Sequence, residues 1–312
     1  MDKAGFMRYL ESKELTENYI ARCTRLAERF FKQAEKEDIQ VIKADILKYL
    51  EALNRKGLQN ISRYRSLSAL NHYFSFLYGA GLIDKNPCLL LKIRGIKRKI
   101  LYKTYSPEEL EALFDNYYQY FVRSHDESCL PENHRKSSAL KKYRNAVIVS
   151  ILIFQGAISG EIEGIEVNDM DLIKATVKIR GGRRSNGRTL PLKAAQIGLM
   201  MHYLQNIRPQ LMEYRTGETD RLVFPLFGNK NNADKDNILN VTGMIAKQLK
   251  TIDKQFLNFK QLRASVISFW IKTQGLRKAQ YMAGHRYVSS TENYLSNNLE
   301  DLTEEINKLH PF

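Results

Sequence analysis

Helical periodicity runs through the first hundred residues and restricts that part of the chain to a helical fold. Between Tyr19 and Phe31, apolar and aromatic side chains recur three or four positions apart, which places them on one face of a helix. The same spacing returns between Tyr64 and Leu77. The predicted helices cover residues 16–37, 43–57 and 60–82. Each has one stripe of side chains to bury.

A basic segment separates this helical region from the rest of the chain. Residues 92–104 carry lysines and arginines but no acidic side chain, and Ser106-Pro107 then has the residue types that start a helix. A length of 312 residues also favours two domains. The predicted division is a helical domain over residues 1–97, a linker over 98–104 and a second domain over 105–312.

The charge balance indicates a polyanionic partner. The chain has 49 basic and 34 acidic residues, a net charge of +15, and residues 1–100 alone hold 20 basic and 11 acidic ones. The first residues have no apolar core of signal-peptide length, and no apolar run approaches the roughly 18 residues of a membrane span. Nucleic acid is therefore favoured over a membrane surface, and we expect a cytoplasmic protein.

The cysteines predict neither disulfides nor a metal centre. Cys23, Cys88 and Cys129 are odd in number and far apart, without a CxxC pair. His125, Cys129 and His134 lie close in sequence, but their spacing fits no common zinc site. We expect no metal and no cofactor.

The second part of the chain predicts mixed structure. Residues 145–172 read as a buried helix, a glycine-containing turn and another helix, and 173–192 read as two strands joined by a basic, glycine-rich turn. We expect a polar surface excursion over 122–145 and a short strand with a loop over 222–237. Further helices are predicted over 193–215 and 237–252. The predicted fold class is mainly α with a small β-sheet.

A short stretch near the end concentrates groups that can act on phosphate. Gly284-His285 is followed nine residues later by Tyr294, and Leu262-Arg263 stands just upstream. A guanidinium holds phosphate oxygens as a bidentate fork, and a phenol is a potential nucleophile. Together with an imidazole, these groups can hold and attack a phosphodiester.

The order of elements and this spacing resemble the tyrosine recombinases, also called phage-type integrases. The resemblance covers nearly the whole chain, including Asn86-Pro87 at the end of a helical core-binding domain. It implies cleavage of double-stranded DNA by a tyrosine, leaving a 3′-phosphotyrosyl bond and a free 5′-hydroxyl without metal or nucleotide. It also implies a homotetramer on DNA with exchanged C-terminal tails, here residues 299–312.

The resemblance assigns roles to residues that match the family motif. Tyr294 matches the nucleophile, Arg263 the second arginine, and His285 a donor to a non-bridging phosphate oxygen. Lys260 stands where the family's His-x-x-Arg pattern has histidine. A lysine can hold phosphate but is a poor base near neutral pH.

The hairpin lysine of the family is replaced as well. Alignment back from 188–192 puts Arg183 at its position, with Arg180 and Lys178 as alternatives. Arginine does not readily give a proton to a leaving oxygen. A lysine general acid therefore depends on Lys178 reaching the site.

The largest departure is at the family's first arginine, where Gly156 and Glu161 match but Ile158 occupies the arginine's place. Loss of one charged donor to a transition state commonly costs on the order of 10²–10³ in rate. Candidates to fill the gap are Arg144, Arg183 and Arg184.

Two functions follow as hypotheses. The first is a site-specific recombinase that integrates or excises the DNA of a mobile element. The second, favoured by Ile158 and Lys260, is a DNA-binding accessory protein with the same fold and impaired cleavage. An unrelated helical DNA-binding regulator fits the hairpin and the Gly-His…Tyr spacing less well. The predicted DNA contacts are Arg63, Arg65, Asn71, Arg94, Lys97, Arg98, Arg180 and Arg184.

Overall fold

The computed structural model describes residues 1–95, 102–124, 132–182, 185–215, 217–226 and 238–295, with the backbone only for 132–134. The chain divides into two compact units, Met1–Ile100 and Leu101–Phe312. This division falls within the predicted linker over 98–104. The described residues are mainly helical with a small antiparallel sheet, so the predicted fold class is confirmed.

The first unit is helical, as its periodicity predicted. Its helices are α1 (Lys3–Ser12), α2 (Glu17–Ala34), α3 (Lys43–Arg55) and α4 (Asn60–Gly79). Their apolar faces meet in an aromatic core that includes Phe6, Phe30, Tyr49, Leu70 and Phe74. Phe30 and Tyr49 pack edge to face with ring centroids 5.1 Å apart, the geometry that aromatic quadrupoles favour.

The second unit surrounds a buried helix. Its helices are α5 (Pro107–Tyr117), α6 (Glu132–Phe154), α7 (Ser159–Glu163), α8 (Ala194–His202), α9 (Arg208–Met212), α10 (Leu239–Ile252), α11 (Phe259–Ala283) and α12 (Val288–Glu292). The last residues of α6, from Ala146 to Phe154, are apolar on every side except at Ser150 and are almost entirely buried, as in Val147, Ile148 and Ile151. A helix with no polar face has to lie inside the core.

Helix α5 starts as its sequence predicted. The Ser106 hydroxyl accepts a hydrogen bond from the backbone N–H of Glu109 at 3.2 Å, and the Glu109 carboxylate accepts the Ser106 N–H at 2.7 Å. This capping box satisfies two backbone donors that the first turn leaves free. Pro107 takes the first helical position.

The predicted polar excursion over 122–145 is wrong in its second half, because α6 already begins at Glu132. Ser137, Leu140 and Arg144 are buried at helical spacing, so this polar-looking segment carries an inward face. His125, Cys129 and the side chain of His134 lie outside the described residues.

The described sheet is a meander of β1 (Met170–Asp171), β2 (Thr176–Ile179) and β3 (Arg188–Pro191). Val177 pairs with Leu190 and Ile179 pairs with Arg188, so all four side chains share the buried face. The predicted strand after 222 is wrong. Pro225 lacks the N–H that a ladder needs, and the described residues 221–226 pair only through an isolated bridge between Arg221 and Glu166. The loop predicted to follow, over 227–237, lies outside the described residues.

Helix α11 is interrupted at one glycine and ends at another. Gly275, with φ 77° and ψ 164°, breaks it into two helical segments. Gly284 ends it in the left-handed region with φ 68°. Among the described residues we find no helix long and apolar enough to cross a membrane.

Candidate active site

The end of the second unit brings Arg263, His285 and Tyr294 together. Arg263 lies in the second turn of α11 and is only 8% exposed. His285 follows the Gly284 turn, and Tyr294 follows α12. The rings of His285 and Tyr294 stack at an interplanar angle of 15° with centroids 5.7 Å apart. The three side chains therefore form one group.

The turn before His285 depends on glycine at position 284. A Cβ there would lie 2.5 Å from Arg188 Nη1 and 2.9 Å from the Asn186 carbonyl oxygen. The Asn186 N–H donates to the Gly284 carbonyl at 2.9 Å, and Ser185 forms an isolated bridge with His285. The hairpin after β2 is thereby joined to the backbone that carries the imidazole.

Backbone carbonyls hold the Arg263 guanidinium in place. Its Nη1 donates to the Gly156 carbonyl at 2.6 Å and its Nη2 to the Ala283 carbonyl at 2.7 Å. Burial lowers the pKa of Arg263, partly offset by the charge of Glu161 and by interaction with Tyr294. A guanidinium has five N–H donors, so donors remain for a ligand.

The neighbours of His285 decide its tautomer. Arg263 Nη2 lies 3.3 Å from His285 Nε2, and a guanidinium can only donate, so Nε2 acts as the acceptor. The proton then sits on Nδ1, which lies 3.0 Å from the Thr291 hydroxyl. Burial, with the charges of Arg263 and Arg188, lowers the pKa of His285 to about 4. The imidazole is therefore neutral near pH 7.

A buried ion pair lies behind Arg263. Arg188 donates from both terminal nitrogens to both oxygens of Glu161, at 2.7 and 2.9 Å. Their side chains are 0% and 6% exposed. Burial favours the neutral form of Glu161, but the hydrogen bonds and charge of Arg188, with Arg263, bring its pKa below the usual value. Arg263 thus lies beside a second guanidinium cation, Arg188, and one carboxylate, Glu161.

Position 158, where the family has its first arginine and this chain has isoleucine, is exposed. Ile158 is 47% exposed at the start of α7, and its N–H donates to Glu161 Oε2 at 3.0 Å. An open cavity of about 550 Å³ borders Ile158, Gly160 and Gly182. A longer side chain at position 158 has room to extend.

Arg144 does not fill this gap. It is buried, and it donates to the Phe224 carbonyl at 3.0 Å and to the Asn145 side chain. Burial lowers its pKa to about 10. The other candidates, Arg183 and Arg184, lie outside the described residues.

The remaining predicted site residues lie at the surface. Lys260 is exposed in the first turn of α11, three residues before Arg263. Lys178 is on the exposed face of β2. Arg180 pairs with Glu166 and, at 3.0 Å, with Asp169.

The residues of the first unit predicted to contact DNA differ in how far their side chains are engaged in hydrogen bonds within the unit. Arg63 donates to the Leu50 carbonyl at 3.2 Å and to the side chains of Asn54 and Asn60. Arg65 is exposed. Asn71 accepts from Asn86 at 2.9 Å, and the Arg94 carbonyl accepts from Asn60. Lys97 and Arg98 lie outside the described residues.

Sequence reasoning missed Arg188 and Thr291. Strand alternation contained the signal for Arg188, because it shares the inward face with Leu190. A charge on a buried face needs a counter-ion, and Glu161 is that partner. Thr291 had no comparable signal, since only the fold of the turn brings its hydroxyl to His285.

The described part of the chain thus contains a helical unit and a mixed unit, and the mixed unit brings Tyr294, Arg263 and His285 together. The sequence profile of the phage integrase family matches residues 125–300. The chain therefore belongs to this family, the family of the tyrosine site-specific recombinases.

Its relatives agree with that membership. The chain is 27% identical over 320 residues to tyrosine recombinase XerC of Listeria welshimeri, covering 98% of this chain and 96% of the relative. It is 24% identical over 275 residues to XerC of Chlorobaculum tepidum, covering 86% and 78%.

Solved structures share the fold. The XerH recombinase bound to palindromic difH, a post-cleavage complex, matches with a TM-score of 0.64 and 18% identity over 93% of this chain and 78% of that one. The Tn1549 transposon integrase in complex with transposon right end DNA matches with a TM-score of 0.58 and 14% identity over 96% and 98%.

Proposed function

We propose that the protein is a site-specific recombinase that cuts and rejoins double-stranded DNA through Tyr294. The observation that carries this proposal is the convergence of Tyr294, Arg263 and His285 in one group, with the two rings stacked. The XerH and Tn1549 integrase structures were solved with DNA, which supports duplex DNA as the substrate.

The proposed reaction is a transesterification, in which one phosphate ester bond forms as another breaks. The Tyr294 oxygen attacks the phosphorus, the bond to the 5′-oxygen breaks, and the 3′-phosphate stays joined to the protein. The phenol loses its proton and the leaving 5′-oxygen gains one, so the step needs no metal or nucleotide. Arg263 stabilises the extra negative charge on the phosphorus oxygens.

The neighbouring groups divide the remaining tasks. His285 approaches a phosphate oxygen as a donor only after Nε2 gains a proton, because in the free site Nε2 accepts from Arg263. Lys260, exposed one turn before Arg263, supplies a further positive charge. Arg183, at the hairpin position of the family lysine, stays a prediction, as do the linker and the DNA-binding role of the first unit.

Covalent trapping tests this proposal without knowledge of the target site. Nicked duplexes with a randomised core are incubated with the protein, denatured, and the protein–DNA adduct is isolated and sequenced. We expect an adduct that carries the strand upstream of the cut, and no adduct with Tyr294→Phe. Adduct formation by Tyr294→Phe contradicts the assignment of the nucleophile.

Ile158 favours a second candidate, a DNA-binding accessory protein with impaired cleavage. An isoleucine supplies neither charge nor a hydrogen-bond donor to phosphate. Retention of duplex DNA by the intact protein without any adduct supports this candidate over the first. A mobile element as the source of the DNA, and a tetramer with exchanged tails, stay predictions, since residues 296–312 lie outside the described part.

A further inference from the structure

We propose that Arg188 is a positioning residue for Arg263. It binds the Glu161 carboxylate, so that this carboxylate does not pair with Arg263 and the positive charge of Arg263 remains available for phosphate. This inference rests on the proposed function for its catalytic consequence. Its structural basis is the contact geometry of three buried side chains, Arg188, Glu161 and Arg263.

Glu161 lies between two arginines but bonds to one of them. Arg188 makes two parallel hydrogen bonds of 2.7 and 2.9 Å to its carboxylate. Arg263 Nη1 is 3.7 Å from Glu161 Oε2, close enough for strong attraction but beyond hydrogen-bond distance. Bidentate pairs of this kind are the stronger ones, so Arg188 holds the carboxylate.

Removal of Arg188 changes the charge balance of the group. The two arginines and Glu161 together carry one net positive charge, which a phosphodiester requires. Without Arg188, Arg263 is the nearest cation to the buried Glu161 carboxylate among the described residues. Pairing with this carboxylate neutralises the positive charge of Arg263 that would otherwise bind phosphate. The same attraction draws Arg263 away from the Gly156 and Ala283 carbonyls.

Arg188 also touches the backbone that carries the imidazole. Its Nη1 lies 2.5 Å from the point where a Cβ of residue 284 would be, so the guanidinium packs directly on Gly284. The side chain is fully buried, and its Nε has no hydrogen-bond partner among the described residues. An arginine buried at the cost of one unpaired donor indicates a role beyond filling space.

The test uses four variants of the full chain: Arg188→Met, Arg188→Lys, Glu161→Gln and the double variant Arg188→Met with Glu161→Gln. We expect Arg188→Met to slow adduct formation by roughly 100-fold, as displacement of a catalytic group by about 1 Å commonly does. We expect the double variant to recover at least ten-fold of that loss, because no free carboxylate then competes for Arg263. Arg188→Lys is expected to fall between, since lysine keeps the charge without the fork.

A purely structural role gives a different pattern. In that case the double variant is at least as slow as Arg188→Met, and the loss of rate follows the loss of thermal stability. Arg144→Met is the matched control, since it removes another buried arginine, which donates to Phe224 and Asn145 and to none of these three side chains. It is expected to lower the melting temperature without changing the rate of the folded protein.

A second readout needs no DNA. In Arg188→Met the imidazole loses a nearby cation and faces an unbalanced carboxylate, so NMR titration should show a raised pKa for His285. In the double variant both charges are absent and the pKa should return toward the wild-type value. An unchanged titration in Arg188→Met overturns the inference. If the wild type forms no adduct, the proposed function fails, and this titration still decides the role of Arg188.

Discussion

Arg263 and His285 are joined through a hydrogen bond in which the histidine is the acceptor. The distance from Arg263 Nη2 to His285 Nε2 is 3.3 Å, and a guanidinium has no lone pair to offer. Protonation of His285 therefore breaks this bond and places two cations side by side. The free site holds its histidine neutral.

This relationship predicts how stability changes with pH. The pKa of His285 falls from 6.5 to about 4 on folding, so the unfolded chain binds the proton more readily. Its contribution to stability is present above pH 6.5 and is lost as pH falls toward 4. We expect the melting temperature to fall less over this interval in His285→Gln than in the wild type. Parallel curves for the two proteins contradict the prediction.

Restoring a cation at position 158 should accelerate cleavage. Ile158 is exposed beside an open cavity, so an arginine there can extend without displacing the core. The expected gain in the rate of adduct formation is on the order of 10²–10³. Ile158→Met is the matched control, since it has similar length and no charge, and it should leave the rate near that of the wild type. Equal rates for the arginine and methionine variants would show that the missing cation is supplied elsewhere.

Glycine at position 284 should be required for stability. Its φ of 68° strains any residue with a Cβ, and that Cβ would lie 2.5 Å from Arg188 Nη1. We expect Gly284→Ala to lower the free energy of unfolding by about 1–3 kcal/mol. The matched control is Gly198→Ala in α8, where a Cβ meets nothing within 4 Å and the change should stabilise by about 0.5–1 kcal/mol. Urea denaturation measures both, and an undiminished stability of Gly284→Ala rules out the strain.

Two arginines of α4 should respond differently to alanine substitution. Arg65 is exposed and makes no hydrogen bond or ion pair within the described residues, whereas Arg63 donates to the Leu50 carbonyl and to two asparagines. If Arg65 contacts phosphate, Arg65→Ala weakens duplex binding and reduces the salt slope by about one. Fluorescence anisotropy across a salt series measures this. Arg63→Ala should mainly lower the melting temperature, and a reversal of these two effects contradicts the assignment.

Local sequence patterns were sufficient for much of the fold. The helical stripes of α2 and α4 and the start of α5 at Ser106-Pro107 all depend on residues a few positions apart. The predicted surface excursion over 122–145 is wrong from Glu132 onward. The inward side chains there, Ser137, Leu140 and Arg144, are spread among many polar residues and form no visible apolar stripe. Burial there depends on what α6 packs against, which no local pattern contains.

The sequence by itself indicated the candidate nucleophile group, since Arg263, His285 and Tyr294 stand at the spacing of the family motif that they resemble. It also determined the departure at Ile158, because an isoleucine stays uncharged in any fold. Only the tertiary structure decided how these groups are charged and held. Glu161 and Arg188 are 27 residues apart, and Arg263 and His285 are 22 apart. Hydrogen bonds and electrostatic forces act through space, so the tautomer of His285 and the ion pair behind Arg263 appear only when the chain is folded.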